Sequence, residues 1–246
     1  MKIIICDSRK EVVKEGASLA VSEIKKKKNL ILGLATGETM AGFYKELISS
    51  YKRGKVSFSK VRTFNLDEYI GLSSSNRSSY KYIMYKNFFS RIDISKENIG
   101  FLLGDAGDLK KECLRYEGEI KKVGGIDLQI LGIGKNGHIG FNEPGSSLRS
   151  RTHIADLSLE TRLANARFFN GFVGLVPRQA LTVGIGTIMN VKKIILLAFG
   201  KDKAKVIFRA LKGEISEDVP ASALQKHKNV IFILDKSAAS ELNPYI

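Results

Sequence analysis

His138 sits in the stretch "LGIGKNGHIGFNEP" (131–144), with Gly132, Gly134 and Gly137 before it and Asn142, Glu143 and Pro144 after it. An imidazole titrates near neutral pH, so it is suited to giving and taking a proton. Glycines let the backbone approach a ligand closely. Glu143 lies five residues on, near enough to fold back toward the ring. The residue two before the histidine is an amide, Asn136, which offers the ring a hydrogen bond without a charge. A histidine that merely caps a turn is the plainer reading, but this density of glycine, histidine and acid favours acid/base chemistry. A metal site needs further ligands, and the other two histidines, His153 and His227, are scattered.

Two more stretches carry chemistry. In "TFNLDEYIGL" (63–72), Asp67 and Glu68 end an apolar strand. Adjacent strand residues face opposite ways, so only one of them enters a cleft easily; the alternative is that both cap a loop. In "GLATGETMAGFYKEL" (33–47) a strand ends, Thr36 and Gly37 turn the chain, and a helix starts near Thr39. Backbone amides at such a helix start point at an anion. The stretch is not a nucleotide P-loop, because the four-residue spacer and the Lys-Ser/Thr pair are absent. The side chain of Glu38 has to point away from any anion bound there while its amide helps. Arg162 and Arg167 in "TRLANARFFNGF", and Lys201 and Lys203 in "FGKDKAKV", are candidate cations; singly, each reads as a surface charge.

The elements that must position these residues alternate along the chain. "KIIIC" (2–6) reads as a buried strand, followed by a helix capped by Asp7 or Ser8. "NLILGLA" (29–35), "VRTFNLDEY" (61–69), "IDLQILGIG" (126–134), "ALTVGIG", "KKIILLAFG" (192–200) and "NVIFILD" (229–235) read as further strands. Helices are predicted after "TG", over "SYKYIMYKNFF", over "DAGDLKKECLRYEGEIKK" up to a glycine pair, and over "KDKAKVIFRALKG". Apolar strands alternating with helices predict a mainly parallel sheet with helices on both faces, an α/β fold in one domain over residues 1–246. The polar clusters "ATGET", "LDEY", "GKNGH" and "FGKDK" follow strand C-termini, where ligands bind in open α/β sheets.

Composition bounds the rest. Of 246 residues 43% are hydrophobic, enough for a core and against disorder. No apolar stretch suits a membrane span, and the start turns charged too early for a secretory signal, so no membrane is expected. Cys6 and Cys113 are unclustered, which suggests reduced thiols and a cytoplasmic protein. The net charge is +15, but the basic residues are spread along helices and the one dense run, "EIKKKKN" (23–29), reads as a solvated helix end. With no tryptophan and no aromatic-basic interleaving, nucleic acid is not the expected partner.

Over nearly its whole length the chain resembles the glucosamine-6-phosphate deaminases, most specifically in "GIGKNGHIGFNEPGSSLRSRTH", with "TFNLDEYIGL" and "RFFNGFVGLVPRQALTVGIGTI" in order around it. The related 6-phosphogluconolactonases share the phosphate turn and a Gly-His segment, but lack "FNEP" and usually carry arginine at the position of Tyr69. The resemblance implies a modified Rossmann-like fold that binds no nucleotide. It implies conversion of glucosamine 6-phosphate and water to fructose 6-phosphate and ammonia, with no metal or organic cofactor. By the same resemblance His138 opens the pyranose ring, Asp67 moves the C2 proton to C1, and Asn136 and Glu143 attend the histidine. The phosphate would sit on Thr36, Gly37, Glu38 and Thr39, with Gly137, Arg167 and Lys203 completing the substrate site, beneath a mobile lid at about 157–180. The expected partner is a small sugar phosphate, with room for a homo-oligomer. A lactone hydrolase and a non-catalytic sensor on the same fold are the competing readings.

Some positions depart from the family pattern. Asn136 stands where the best-studied deaminases have aspartate, so the station around His138 is less charged. In the phosphate turn, Glu38 replaces the usual glycine or serine and Met40 the usual proline. Allosteric relatives bind the phosphate of N-acetylglucosamine 6-phosphate with a serine pair and two downstream basic residues. The serines have counterparts in Ser146 and Ser147, but the basic positions hold His153 and Ala155. Little of the C-terminal segment used by longer relatives follows "SAASEL". The resemblance therefore implies an enzyme that this compound does not activate.

Overall fold

The computed structural model describes residues 1–242. The strands are β1 (Lys2–Cys6), β2 (Ile31–Leu34), β3 (Arg62–Asn65), β4 (Asp67–Tyr69), β5 (Ile99–Gly100), β6 (Leu128–Leu131), β7 (His153–Asp156), β8 (Gln179–Thr182), β9 (Lys193–Ala198) and β10 (Val230–Asp235). The helices are α1 (Arg9–Lys26), α2 (Glu38–Lys52), α3 (Tyr80–Asn87), α4 (Leu109–Lys122), α5 (Leu159–Asn165), α6 (Ile185–Ile188) and α7 (Ala204–Lys212). Side chains cap α1 and α4 at their starts. Ser8 accepts from the Glu11 amide at α1, and Asp108 from the Lys111 amide at α4.

Seven strands form one sheet in the order β1-β10-β9-β6-β2-β3-β5, every pairing parallel. The registers show how both faces are covered. Gln129, Phe64, Ile194 and Leu196 share one face, so Leu197 is on the other. Tyr116 of α4 packs its ring 5.6 Å from Phe64, whereas Gly16 of α1 lies against Leu197. Helices therefore cover both faces, and the central strands β2, β6, β9 and β10 are buried almost throughout, as a doubly covered parallel sheet requires.

Two expectations are corrected. β1 is not a buried strand: it is the sheet edge, paired only with β10, and Ile5 is 43% exposed. "VRTFNLDEY" is not one strand. At Leu66, whose amide bonds Leu34 and whose carbonyl accepts from Val183, the chain leaves the parallel sheet. Asp67–Tyr69 then pairs antiparallel with β8, and β8 with β7, in a separate three-stranded sheet. β7 was not foreseen, because "HIAD" is short and half-polar. A second core cluster, with Tyr69, Tyr80, Phe141 and Phe169, fills the space around this sheet.

The sequence order also locates the site. After β2 the chain adds β3 and β5 outward, then returns to place β6 on the other side of β2. The crevice at the carboxyl ends of β2 and β6 is the topological switch point, where α/β sheets bind ligands.

Candidate active site

A cleft opens at that switch point, walled by the segments that follow β2, β3 and β6. Thr36, Gly37, Glu38 and Thr39 come from the first, Asp67 from the second, and His138, Gly140 and Phe141 from the third; Tyr80 and Asn165 complete it. The sheet thus brings together Asp67, His138 and the turn 36–39, which are distant in sequence.

His138 is held by an amide. Its Nδ1 is 2.8 Å from Asn136 Oδ1, while Asn136 Nδ2 donates to Glu143 Oε2 at 2.7 Å. Nδ1 is 3.7 Å from Glu143 Oε2, an ion-pair separation and not a hydrogen bond. Burial works against the charged form of Glu143, but His138, Thr161 and Asn136 outweigh it and hold its pKa at about 2. An ionised carboxylate only accepts, so the Asn136 NH2 faces Glu143 and its carbonyl faces the ring. Nδ1 must then carry the proton, leaving Nε2 as a free lone pair, and Nε2 has no protein partner among the described residues. Gly134 makes this packing possible: a Cβ there would stand 2.2 Å from His138 Cε1.

Asp67 and Glu68 divide as adjacent strand residues should. Glu68 points away and accepts the amides of Tyr69, Tyr80 and Lys81 at 2.9 Å each, tying β4 to the start of α3. Asp67 lines the cleft, 5% exposed, and among the described residues its side chain accepts only a long 3.4 Å hydrogen bond, from Thr36 Oγ1. Burial, and next the charge of Glu68, raise its pKa to about 7, against the weaker pull of Thr36. A carboxyl poised there can take a proton and return it near neutral pH.

The turn 36–39 is shaped for an anion. Gly37 has φ 109°, a conformation that favours glycine, and the amides of Gly37, Glu38 and Thr39 meet no protein acceptor among the described residues. α2 starts at Glu38, next to Thr39, as expected.

The remaining expected ligands are placed less directly. Gly137 does not line the cleft: its amide bonds the Gly134 carbonyl, its carbonyl accepts from Ala221, and it packs against Val219. Both of its backbone polar groups are thus held by the protein itself. Lys203 is half-buried and donates to the Ile133 carbonyl at 2.9 Å, at the cleft wall. Arg167 lies in an adjoining hollow that shares Thr36, Gly37, Glu38 and Tyr80 with the cleft, and it forms an ion pair with Glu38. The Glu38 side chain is therefore held by a cation beside the cleft, not simply turned away. Asn136 and Glu143 stand behind His138, outside the cleft lining.

The residues missed by sequence reasoning are Tyr80, Phe141, Asn165, Ser158 and Thr161. Ser158 caps α5 by accepting the Thr161 amide, and also donates to Glu143 Oε1 at 3.2 Å. The cap is readable in "SLETRL"; the bond to Glu143 is not. Nothing local marks Tyr80, Phe141 or Asn165. Among the described residues no group of three or more His, Cys, Asp or Glu is arranged to hold a metal ion, and no helix is long and apolar enough to cross a membrane.

Residues 7–233 match the family described as glucosamine-6-phosphate isomerases/6-phosphogluconolactonase. A glucosamine-6-phosphate deaminase of Thermoanaerobacter sp. (strain X514) is 53% identical over 98% of this chain and 94% of its own. One of Clostridium botulinum (strain Alaska E43 / Type E3) is 49% identical over 99% and 98%. Among solved structures, a monomeric glucosamine-6-phosphate deaminase superposes with a TM-score of 0.95 at 46% identity, over 98% of this chain and 100% of the other. A 6-phosphogluconolactonase from Trypanosoma cruzi reaches 0.77 at 22% identity, over 98% and 97%, a likeness of fold alone.

Proposed function

The chain belongs to the glucosamine-6-phosphate isomerase/6-phosphogluconolactonase family, and from that membership and the geometry of the cleft we propose that it is a glucosamine-6-phosphate deaminase. It converts glucosamine 6-phosphate and water to fructose 6-phosphate and ammonia. The carrying observation is the pairing of two groups in one cleft: an imidazole whose Nδ1 is fixed by Asn136, and a buried carboxyl with a pKa of about 7.

In this reading the neutral Nε2 of His138 takes the proton of the anomeric hydroxyl and delivers it to the ring oxygen, opening the pyranose. The imidazolium formed on the way is stabilised by the Glu143 carboxylate 3.7 Å from Nδ1. Asp67 in its ionised form then removes the C2 proton while a proton from the substrate's ammonium group passes to O1, giving an enolamine. The protonated Asp67 returns a proton to C1, giving the C2 imine. Water adds to C2, and ammonia leaves with fructose 6-phosphate. These steps use proton transfer throughout and need no metal or organic cofactor.

The amides of Gly37–Thr39, Arg167 and Lys203 hold the phosphate, which orients the reacting carbons by binding energy remote from them. The net charge of +15 draws the anion in. Residues of about 157–180 act as a lid. Three features support that role. Its helices are short; it leaves Leu159, Leu163, Phe172 and Leu175 more than half exposed; and it touches the site through Ser158 and Arg167.

A coupled assay tests the reaction. Ammonia from glucosamine 6-phosphate, with galactosamine 6-phosphate and 6-phosphogluconolactone as alternatives, is the expected signal. Lactone hydrolysis without ammonia release would overturn it.

A further inference from the structure

We propose that Glu38 is an internal counter-anion: in the free enzyme its carboxylate occupies the Arg167 guanidinium that substrate phosphate needs, and when phosphate binds the carboxylate is left to Arg9. This deepens the reading above, since it rests on Arg167 as a phosphate ligand.

Glu38 stands between two guanidinium groups. Its Oε2 contacts Arg167 Nη1, and its Oε1 is 3.3 Å from Arg9 Nη1. The two arginines are not equivalent. Arg167 lines the hollow next to the cleft, with Glu38 in the shared wall. Arg9 lines neither; its guanidinium lies 4.2 Å from the Phe199 ring centroid, which holds it outside. Arg9 can therefore keep Glu38 neutralised without entering the site, whereas Arg167 faces where the anion arrives.

The Glu38 side chain belongs to the same residue whose amide, with those of Gly37 and Thr39, is free to bind an anion. A carboxylate that stayed on Arg167 would compete with phosphate for its planar donors and repel the incoming charge. The ion pair with Arg167 lowers the pKa of Glu38 from the ordinary carboxylate value, so the counter-anion is present at neutral pH. The consequence is selectivity. A small anion must displace Glu38 with nothing in return, whereas a sugar phosphate adds contacts along the cleft. The same ion pair joins α2 to the lid, so the incoming phosphate takes the place of Glu38 on the lid's Arg167.

The test reads inorganic phosphate binding by calorimetry alongside KM for glucosamine 6-phosphate, in Glu38→Gln, Arg9→Ala and the double variant, with folding checked by thermal melts. Glu38→Gln is expected to tighten phosphate binding and lower KM, each by roughly three- to tenfold. Arg9→Ala should weaken phosphate binding where Glu38 is present, because the carboxylate then has Arg167 alone, and should change nothing in the Glu38→Gln background. Unchanged or weaker phosphate binding in Glu38→Gln would overturn the proposal. Weakening by Arg9→Ala in both backgrounds would make Arg9 a direct phosphate ligand and overturn the hand-over. Phosphate binding is read without turnover. Failure to release ammonia would thus sink the deaminase reading while the counter-anion result stood on its own.

Discussion

The ring of His138 and the carboxamide of Asn136 meet at 2.8 Å, and the same amide reaches Glu143 at 2.7 Å, so a neutral group separates the imidazole from its nearest carboxylate. The arrangement fixes the tautomer through a neutral hydrogen-bond partner, with the Glu143 carboxylate held 3.7 Å from Nδ1.

Asn136→Asp should therefore move the pH–rate profile. An aspartate would put one oxygen on the imidazole and another against Glu143, adding a negative charge that favours the imidazolium. Where ring opening limits the rate, the neutral imidazole is reached only at higher pH, so the profile shifts alkaline. A pH series of kcat for both proteins checks this; coincident profiles would remove His138 from control of the rate.

Asp67→Asn should nearly abolish turnover while making the protein more stable at alkaline pH. The native pKa of about 7 lies above the ordinary value of 3.8, so ionising Asp67 costs stability in the folded state. That cost is absent below about pH 4, grows as pH rises toward 7, and is full above it, reaching at most about 4 kcal/mol. The variant's advantage in Tm should be largest near pH 8 and vanish near pH 4, as thermal melts across that range would show. The acidic limb of kcat/KM in the unaltered enzyme should likewise fall as pH drops through about 7.

Ser158→Ala removes an N-cap worth about 1 kcal/mol to α5 and with it the donor to Glu143. Both effects loosen the lid from the site. Limited proteolysis within 159–175 should accelerate, with substrate restoring protection, and kcat/KM should fall several-fold. Cleavage and kinetics equal to those of the parent would mean that the lid and Glu143 act independently.

N-acetylglucosamine 6-phosphate should not activate the enzyme. Ala155 is 6% exposed within the second core cluster, and His153 Nδ1 is engaged with the Arg151 carbonyl at 2.8 Å. Neither offers a phosphate the charged fork an arginine would. Initial rates against substrate should be hyperbolic with and without the compound; a sigmoidal curve made hyperbolic by it would contradict this.

Much of the architecture was legible because local signals and burial agree. The central strands are continuous apolar runs, and Ser8 and Asp108 sit where caps belong. The turn 36–39, Asp67 and His138 were legible as polar clusters at strand ends. What escaped depends on contacts distant in sequence. The break at Leu66 is set by pairing with Val183, the exposure of β1 by its place at the sheet edge, and the packing of Gly137 by Val219 and Ala221. The Glu38–Arg167 pair joins residues 129 apart, which no local pattern announces.

The central claim is that one buried carboxyl, Asp67, moves the proton between C2 and C1. Proton exchange in deuterated water, followed by NMR on fructose 6-phosphate with ammonia, tests it most directly when the unaltered enzyme and Asp67→Asn are compared under conditions where both bind the sugar phosphate. The account predicts exchange at C1 with the first and none with the second. Exchange by Asp67→Asn at the parent rate would show that another group is the base.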